Sequence, residues 1–250
     1  MSTVALRSVP GFAERLISFT QALDIRRADT DEDREAIFRL RHEAYLREGA
    51  IAPNFGRRFA DRLDETDNVW IFGLRLDGAL VSSIRVHVAT EHYPQSPAVE
   101  VFPDILMPEL KAGKIIVDPT RFVADAEASR LYPELSYATV RLGFVASEYF
   151  NADIGLATVR SEHQAYYRRV FMLQRMSEPR NYPGLKQPIV MLGVHYPSVR
   201  DQIIRRFPHM RSTPAERELL FGGPMARQLS SQTAEPAEAS PAGGKAAVGA

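Results

Sequence analysis

The stretch KIIVDPTRFVAD (residues 114–125) joins an apolar run to an acid, a proline and an arginine. The run Ile115–Val117 is typical of a buried strand, because β-branched residues favour extended backbone. Pro119 cannot donate a hydrogen bond within a sheet, so it belongs at an edge, a strand end or a bulge. A one-residue bulge shifts the alternation of side chains and can bring Asp118 and Arg121 to one face. We therefore expect Pro119 to open a bulge that splays the sheet.

A splayed strand beside an acid and an arginine has two interpretations. Backbone N–H groups left unpaired by the splay can hold the oxyanion of an acyl-transfer intermediate. Alternatively, Asp118 and Arg121 form a structural ion pair at a strand end, since such pairs also perturb pKa values. From these four residues alone, DPTR, the structural pair is the favoured interpretation.

The sequence on either side predicts strands and helices around one sheet. Thr30 with Asp33 three residues on resembles a capping box, and Asp77-Gly78 is a strong hairpin signal. Residues 91–113 contain four prolines and are predicted to be a long irregular connection. Outside the opening stretch, strands are predicted over residues 23–28, 69–76, 79–90, 153–160, 171–176 and 188–196, and helices over residues 12–23, 31–48, 133–150, 161–171 and 198–207.

This order mixes a meander with strand–helix crossovers. We therefore expect an α/β (α+β) domain over residues 24–221, with one mixed, mostly antiparallel twisted sheet and helices on both faces. Residues 1–23 are predicted to be an amphipathic segment whose helix packs on the domain. Residues 222–250 are rich in Ala, Pro, Gly, Ser and Glu without periodicity, and we expect a disordered tail.

The composition narrows the class of protein. Lysine plus arginine balance aspartate plus glutamate at 31 each among 250 residues, which argues against a nucleic-acid-binding protein. Cysteine is absent, so disulfides, zinc–thiolate sites and cysteine nucleophiles are excluded. The six histidines show no metal-binding spacing, and no nucleotide-binding or serine-hydrolase motif is present. We expect no metal site.

The chain has no apolar run of membrane-spanning length. Charged residues at Arg7, Glu14 and Arg15 interrupt its first apolar stretch, which makes a poor signal peptide. The expected location is the cytoplasm, with at most peripheral contact with a membrane.

Other charged positions have a structural and a functional interpretation. Arg41 lies beside the apolar stripe of its predicted helix, so it needs a partner or a ligand, or it extends to solvent. Arg85 faces away from the more apolar side of its predicted strand, and it is either a surface residue or part of a cleft. Asp64 and Asp67 belong to an acidic cluster that is either a solvated turn or a site for an ammonium group.

Taken in order, four motifs resemble one branch of the GNAT acyltransferase fold. That branch comprises the acyl-homoserine-lactone synthases and the N-acyl amino acid synthases. The glycine-rich pyrophosphate signature of coenzyme A-dependent members is absent after the opening strand. The loop PAVEVFPDIL and the segment after EHQAYYRRVFM are most similar to the N-acyl amino acid synthases. The motifs are RHEAYLREGAI with Arg41 and Tyr45, DETDNVWIFGL with Asp64 and Asp67, SSIRV with Arg85, and DPTRF with Asp118 and Arg121.

The resemblance implies a GNAT-like sheet with a splayed central strand and a defined reaction. A long-chain acyl group would pass from acyl carrier protein, through its 4'-phosphopantetheine thioester, to the α-amine of an amino acid, with no bound cofactor. Asp118, which replaces the family's glutamate, would act as general base, and Arg121 would complete the catalytic pair. The substrate-binding residues would be Arg41, Tyr45, Asp64, Asp67 and Arg85, and the basic pairs Arg57-Arg58, Arg168-Arg169 and Arg205-Arg206 would dock the acidic carrier protein.

Two alternatives stay open. The first is a GNAT-fold enzyme that uses an acyl-coenzyme A donor, against which the missing phosphate signature counts. The second is a catalytically silent module that binds acyl groups or regulates another protein. The sequence does not identify the amino acid or the acyl length.

Overall fold

The computed structural model describes residues 11–182 and 184–232, and in these it contains a seven-stranded sheet with helices on both faces. The strands are β1 (Asp24–Arg27), β2 (Val69–Leu76), β3 (Ala79–Ala89), β4 (Ile116–Ala124), β5 (Ile154–Val159), β6 (Gln174–Arg175) and β7 (Val190–His195). The helices are α1 (Phe12–Ala22), α2 (Asp31–Arg47), α3 (Pro97–Val101), α4 (Pro103–Lys111), α5 (Ala126–Leu131), α6 (Leu135–Tyr149), α7 (Gln164–Phe171), α8 (Tyr196–Arg206), α9 (Pro214–Phe221) and α10 (Pro224–Gln232), with 3-10 helices at Arg62–Glu65, Ser161–His163 and Pro208–Met210.

The sheet has the strand order β1-β2-β3-β4-β5-β7-β6 and is antiparallel except between β4 and β5. These two central strands pair only at Ile116 with Ile154 and at Val117 with Gly155, and beyond those positions they separate. The predicted mixed, mostly antiparallel sheet with a splayed central strand is therefore confirmed.

The bulge lies in β4, but not at the predicted position. Pro119 stays in register opposite Val86 on β3. It lies two residues after Val117, the last residue of β4 that pairs with β5, so its missing N–H interrupts no hydrogen bond to β5. The register shifts between Thr120 and Val123, where β4 has one residue more than β3. Arg121, inside this interval, has a left-handed backbone with φ of 54°. Such strain in a residue other than glycine is often associated with a functional site.

The two faces of the sheet differ in chemistry. On β3, Ile84 and Val86 face α6 and belong to the largest apolar core, whereas Arg85 and His87 face the opposite side, towards α2. On the α6 side, a Cβ atom at Gly143 would lie only 2.5 Å from Pro119 Cγ. Glycine at this position is thus what lets α6 approach β4 closely.

The prediction of an irregular connection over residues 91–113 is wrong, because α3 and α4 lie there. Pro97 and Pro103 occupy the first turn of their helices, where a missing N–H costs no intrahelical hydrogen bond. The Ser96 hydroxyl accepts the N–H of Val99 and caps α3. Pro97 and Pro103 therefore start helices here instead of breaking them.

The two ends of the described chain pack on the domain. Leu16 of α1 is buried, as predicted for the N-terminal helix, and α1 contacts α6. The predicted disordered tail begins too early at residue 222, because α10 follows and buries Ala226 and Leu229 in the core. These residues are three apart, so a single helical face carries both. The rest of the predicted terminal segments, residues 1–10 and 233–250, lies outside the described residues.

The helices were also compared with the length and apolarity that a bilayer requires. Within residues 11–182 and 184–232, none is long and apolar enough to span a membrane.

Candidate active site

A buried ion cluster lies on the α2 side of the central strands. Arg41 of α2 and Arg85 of β3 are both fully buried, and each donates to Oδ1 of Asp64, at 2.8 and 2.9 Å. Asp64 is itself buried in the 3-10 helix Arg62–Glu65. Charges in such a position need partners, and this carboxylate serves two guanidinium groups. Arg41, Asp64 and Arg85, predicted separately from the sequence, are thus brought together.

Asp61 extends the cluster towards solvent. Its two carboxylate oxygens accept from Arg85 and from Arg121, each at 2.6 Å. The predicted Asp67 is exposed and takes no part in the cluster. The spacing of two aspartates three apart occurs twice in this segment, as 61/64 and as 64/67, and the first pair is the one that forms the site. Asp61 also caps the 3-10 helix through Leu63 N–H, which fixes its position.

The cluster carries excess positive charge. Three guanidinium groups (Arg41, Arg85 and Arg121) face two carboxylates (Asp61 and Asp64), which leaves one net positive charge. Burial by itself raises the pKa of both carboxyl groups, but the arginines outweigh it and hold both pKa values below the ordinary range. Burial lowers the pKa of Arg41 to about 10, so it stays charged at neutral pH. The site is prepared for an anionic group.

Arg121 is the member of the cluster that reaches the cleft. Its guanidinium carbon lies 4.6 Å from the ring centre of Phe59, 5.3 Å from that of Tyr182 and 5.6 Å from that of Tyr45. Cation–π contacts of this kind hold a guanidinium in place without consuming its hydrogen-bond donors. The predicted Tyr45 therefore orients Arg121, and it also lines the cleft.

Asp118 lies on the same side of the sheet but outside the cleft. It is fully buried, and its Oδ2 accepts the N–H of Ala98 at the start of α3, at 2.9 Å. Its Oδ1 has no hydrogen-bond partner among the described residues. Burial raises the pKa of this carboxyl to about 6. Asp118 thus positions α3, and its predicted role as general base would require a path for the proton to the cleft.

His87 lies directly opposite Asp118 on β3 and is also fully buried. Its Nε2 donates to the carbonyl of Leu63 at 3.0 Å, since a carbonyl only accepts. Burial and the neighbouring Arg85 lower the pKa of His87 to about 3. This histidine is neutral at physiological pH, and it ties β3 to the 3-10 helix that carries Asp64.

Replacing Asp118→Asn separates the two roles of this residue. The amide oxygen still accepts from Ala98, so we expect turnover to fall by less than about tenfold, whereas loss of a general base costs about 10²–10⁴-fold. The wild-type carboxyl favours its protonated form in the native state, so its contribution to stability is lost as pH rises from 3.8 through 6. The stability of Asp118→Asn relative to wild type should therefore rise across this range, by on the order of 3 kcal/mol. Urea unfolding at a series of pH values measures this difference in stability. A turnover loss above a hundredfold would instead support Asp118 as the general base.

An open cleft of about 450 Å³ occupies the splay between β4 and β5. Thr120 and Arg121 line it from β4, and Thr158 and Arg160 line it from the end of β5. The opposite end of the cleft is polar and lies against α5, α6 and α7, where it is lined by Ser129, Ser136 and Tyr166.

An apolar cavity of about 60 Å³ adjoins this cleft on the α6 side of the sheet. Among residues 11–182 and 184–232, only Pro119, Phe122 and Tyr167 line both spaces, and of these only Tyr167 carries an ionisable group. Burial, with a smaller effect from Tyr45, raises the pKa of Tyr167, so its hydroxyl keeps its proton. The other walls of the cavity are formed by Ile84, Val117, Val140, Gly143, Phe144, Ser147, Gly155, Leu156, Ala157, Phe171, Leu173, Val194, Tyr196 and Ile203.

The sequence and the fold were then compared with known proteins. The sequence model of a family described as N-acyl amino acid synthase FeeM matches residues 36–195, which is more than half of the chain. The chain belongs to this FeeM family. A search of curated proteins finds no matching sequence. Membership makes the chain an N-acyltransferase, and the matched segment contains the whole ion cluster and the splayed strands.

Solved structures with the same fold include FeeM itself, an N-acyl amino acid synthase from uncultured soil microbes. It shares 17% identity at a TM-score of 0.60, with 73% of this chain and 96% of that chain covered. TofI, solved in a ternary complex with an inhibitor and MTA, shares 16% at 0.52, with 77% and 98% covered. MesI, a CoA-dependent acyl-homoserine lactone synthase, shares 15% at 0.51, with 76% and 96% covered. At these identities the likeness shows a common fold.

Two residues of this FeeM-family site were not predicted from the sequence. Asp61 had a signal, since its spacing to Asp64 repeats the acid-pair pattern. Tyr167 had none, because AYYRRVF reads as an ordinary amphipathic helix in which either tyrosine can face the core. Only the meeting of the cavity and the cleft distinguishes Tyr167 from Tyr166.

Proposed function

We propose that the protein transfers a long-chain fatty acyl group from acyl carrier protein to the α-amine of an amino acid. The observation that carries this proposal is the meeting of an apolar cavity and a polar cleft in the splay of β4 and β5. The acyl chain would enter the cavity, whose walls would have to move apart because about 60 Å³ is too small for a whole long chain, and the phosphopantetheine arm would lie along the cleft. The thioester would then sit at their junction, between Phe122 and Tyr167.

Arg121 is our candidate for binding the carboxylate of the amino acid. Arg41 and Arg85 are fully buried and do not reach the cleft, whereas Arg121 lines it. A guanidinium can bind a carboxylate through two parallel hydrogen bonds, and the net positive charge of the cluster favours an anion here. Arg41, Asp64 and Arg85 would therefore act through Arg121, as residues that position it.

The reaction follows from this arrangement. The neutral amine attacks the thioester carbonyl carbon, a C–N bond forms, and the C–S bond breaks. Backbone N–H groups at the Arg121 bulge would hold the oxyanion. The amine proton leaves to water in the cleft, because Asp118 lies outside the cleft, and Tyr167 donates its proton to the departing thiolate and is then reprotonated from water. The products are an N-acyl amino acid and the free thiol.

The start of α6 supports a carrier-protein donor over coenzyme A. A helix N-terminus following a strand is a natural site for a diphosphate, because its free N–H groups attract anions. In this chain Glu134 is the N-cap residue of α6, and its largely buried carboxylate pairs with Arg15 Nε at 3.0 Å. Arg15 offsets the charge of this carboxylate, so what disfavours coenzyme A here is the lack of a glycine-rich turn that would bring free N–H groups to the diphosphate.

The proposal is tested by giving the purified protein either acyl carrier protein or coenzyme A charged with the same long-chain acyl group. Each donor is mixed with all twenty amino acids, and mass spectrometry identifies the products. We expect an N-acyl amino acid from the carrier-protein donor, at a kcat/KM well above that for coenzyme A. A preference for coenzyme A would support the alternative donor, and no product from either would support a silent module.

The apolar cavity makes a further prediction about acyl length. Ala157 is buried and lines the cavity wall, so Ala157→Leu should fill part of the space and shift the product towards shorter acyl chains. One methylene in an apolar pocket changes kcat/KM by about 10–200-fold. Competition between acyl donors of different length, read by mass spectrometry, measures the shift. Leu219→Ala, at an exposed position outside the cavity, is the control and should leave the product distribution unchanged.

A further inference from the structure

The helix α1 lies outside the segment that matches the family, yet it packs beside the polar end of the cleft. The family match begins at residue 36, whereas α1 ends at Ala22. The ring of Phe12 lies 5.3 Å from that of Tyr137, which lies 5.4 Å from that of the cleft residue Tyr166. Arg15 pairs with Glu134, two residues before the cleft residue Ser136. The helix α1 therefore lies beside residues at the opening through which a donor arm would enter.

The surface around this opening combines exposed apolar and basic side chains. Phe12 of α1 is 40% exposed and Leu131 of α5 is 54% exposed. The last turn of α7 carries Arg168 and Arg169, both exposed, and Arg169 donates to the Tyr137 hydroxyl at 3.2 Å. Phe12 and Arg169 thus contact the same tyrosine from two different helices. α1 and α5 each carry one acidic and one basic residue, so the net positive charge of the three helices comes from Arg168 and Arg169. Apolar anchors beside this basic pair form a surface suited to an acidic protein.

We propose that α1, α5 and α7 together form the docking surface for the acyl carrier protein. This inference rests on the proposed function, because it assumes a carrier-protein donor. The charges favour an acidic partner, and the surface is continuous with the cleft that would receive the partner's phosphopantetheine arm. Of the three basic pairs that were predicted to dock the carrier protein, only Arg168-Arg169 is tied to this opening by the contacts described above.

The test compares two donors with the same acyl group, one on acyl carrier protein and one on free pantetheine. The double variant Arg168→Glu/Arg169→Glu should raise KM for the carrier donor about tenfold or more, because like charges repel at encounter. The double variant Phe12→Ser/Leu131→Ser should also raise it. With acyl-pantetheine, which needs no protein surface, both variants should keep the wild-type kcat/KM, and this shows that they are folded. Only the carrier reaction should slow as salt rises.

The matched control is Arg205→Glu/Arg206→Glu, which reverses an exposed basic pair on α8. An unchanged carrier KM in both α7 and α1/α5 variants, or an equal rise in the α8 control, would overturn the docking surface. Binding of wild type to anionic vesicles that the variants lose, with carrier KM unchanged, would assign this surface to a membrane instead. If wild type itself uses acyl-coenzyme A and not the carrier donor, the proposed function fails, and this result is distinct from the others.

Discussion

Asp64→Ala should destabilise the protein by about 3–5 kcal/mol, the cost of leaving buried charges without their partner. Asp64 is the one carboxylate that Arg41 contacts, and it shares Arg85 with Asp61. The side chains of Arg41, Asp64 and Arg85 are each at most 1% exposed. For a chain of this size the melting temperature should fall by roughly 10 °C. Urea denaturation measures the change in free energy of unfolding.

The control for this prediction is the neighbouring Glu65→Ala. Glu65 lies in the same 3-10 helix as Asp64 and pairs with Arg34 of α2, but its side chain is 71% exposed. Exposed pairs contribute about 0–1 kcal/mol, so this variant should remain close to wild type. Adding Arg41→Met to Asp64→Ala should restore part of the loss, because it removes an unpaired buried charge. Equal destabilisation by the Asp64 and Glu65 variants would contradict the special role of the buried cluster.

Tyr167→Phe should lower kcat about 10²–10⁴-fold with a carrier-protein donor while the fold is retained. Tyr167 is the only proton-bearing side chain that lines both the apolar cavity and the cleft within the described residues. Its hydroxyl is protonated at neutral pH and can donate to the departing thiolate, although burial raises its pKa and so makes it a weaker acid than an exposed tyrosine. Steady-state kinetics with the acyl carrier protein donor, whose leaving thiol has its ordinary acidity, measures the loss.

The role as proton donor has a specific signature. A thioester with a more acidic thiol needs less help to leave, so it should recover much of the activity of Tyr167→Phe. Tyr149→Phe is the matched control and should keep its activity, because the Tyr149 hydroxyl at the end of α6 donates to Glu218 of α9 and lines neither the cavity nor the cleft. An equal loss for all leaving groups would mean that Tyr167 positions the thioester without donating a proton.

The sequence by itself predicted the strands, the splay of the sheet and the helices α1, α2, α6, α7 and α8, but not α3, α4, α5, α9 and α10. The alternation around Arg85 placed it on the polar side of β3, and the hairpin at Asp77-Gly78 and the helix after Thr30 formed as their local signals require. These signals are short-range: a cap, a turn with positive φ, and a repeat of apolar side chains act within a few residues. They did not show that Asp118 and Arg121 lie within β4, and the ion pair expected between these two residues is absent because Arg121 binds Asp61 and Asp118 accepts from the Ala98 N–H.

Only the tertiary structure decided which of the candidates meet. The bulge formed at Arg121 and not at Pro119, and this moved Arg121 into the ion cluster with Asp61. Asp118 became a buried cap of α3, and Asp67 remained in solvent. Local sequence carries no information on which of two equally spaced aspartates faces a guanidinium, because burial and pairing depend on strands distant in the chain. Tyr167 acquired its position for the same reason, since the cavity and the cleft exist only where β4 and β5 separate.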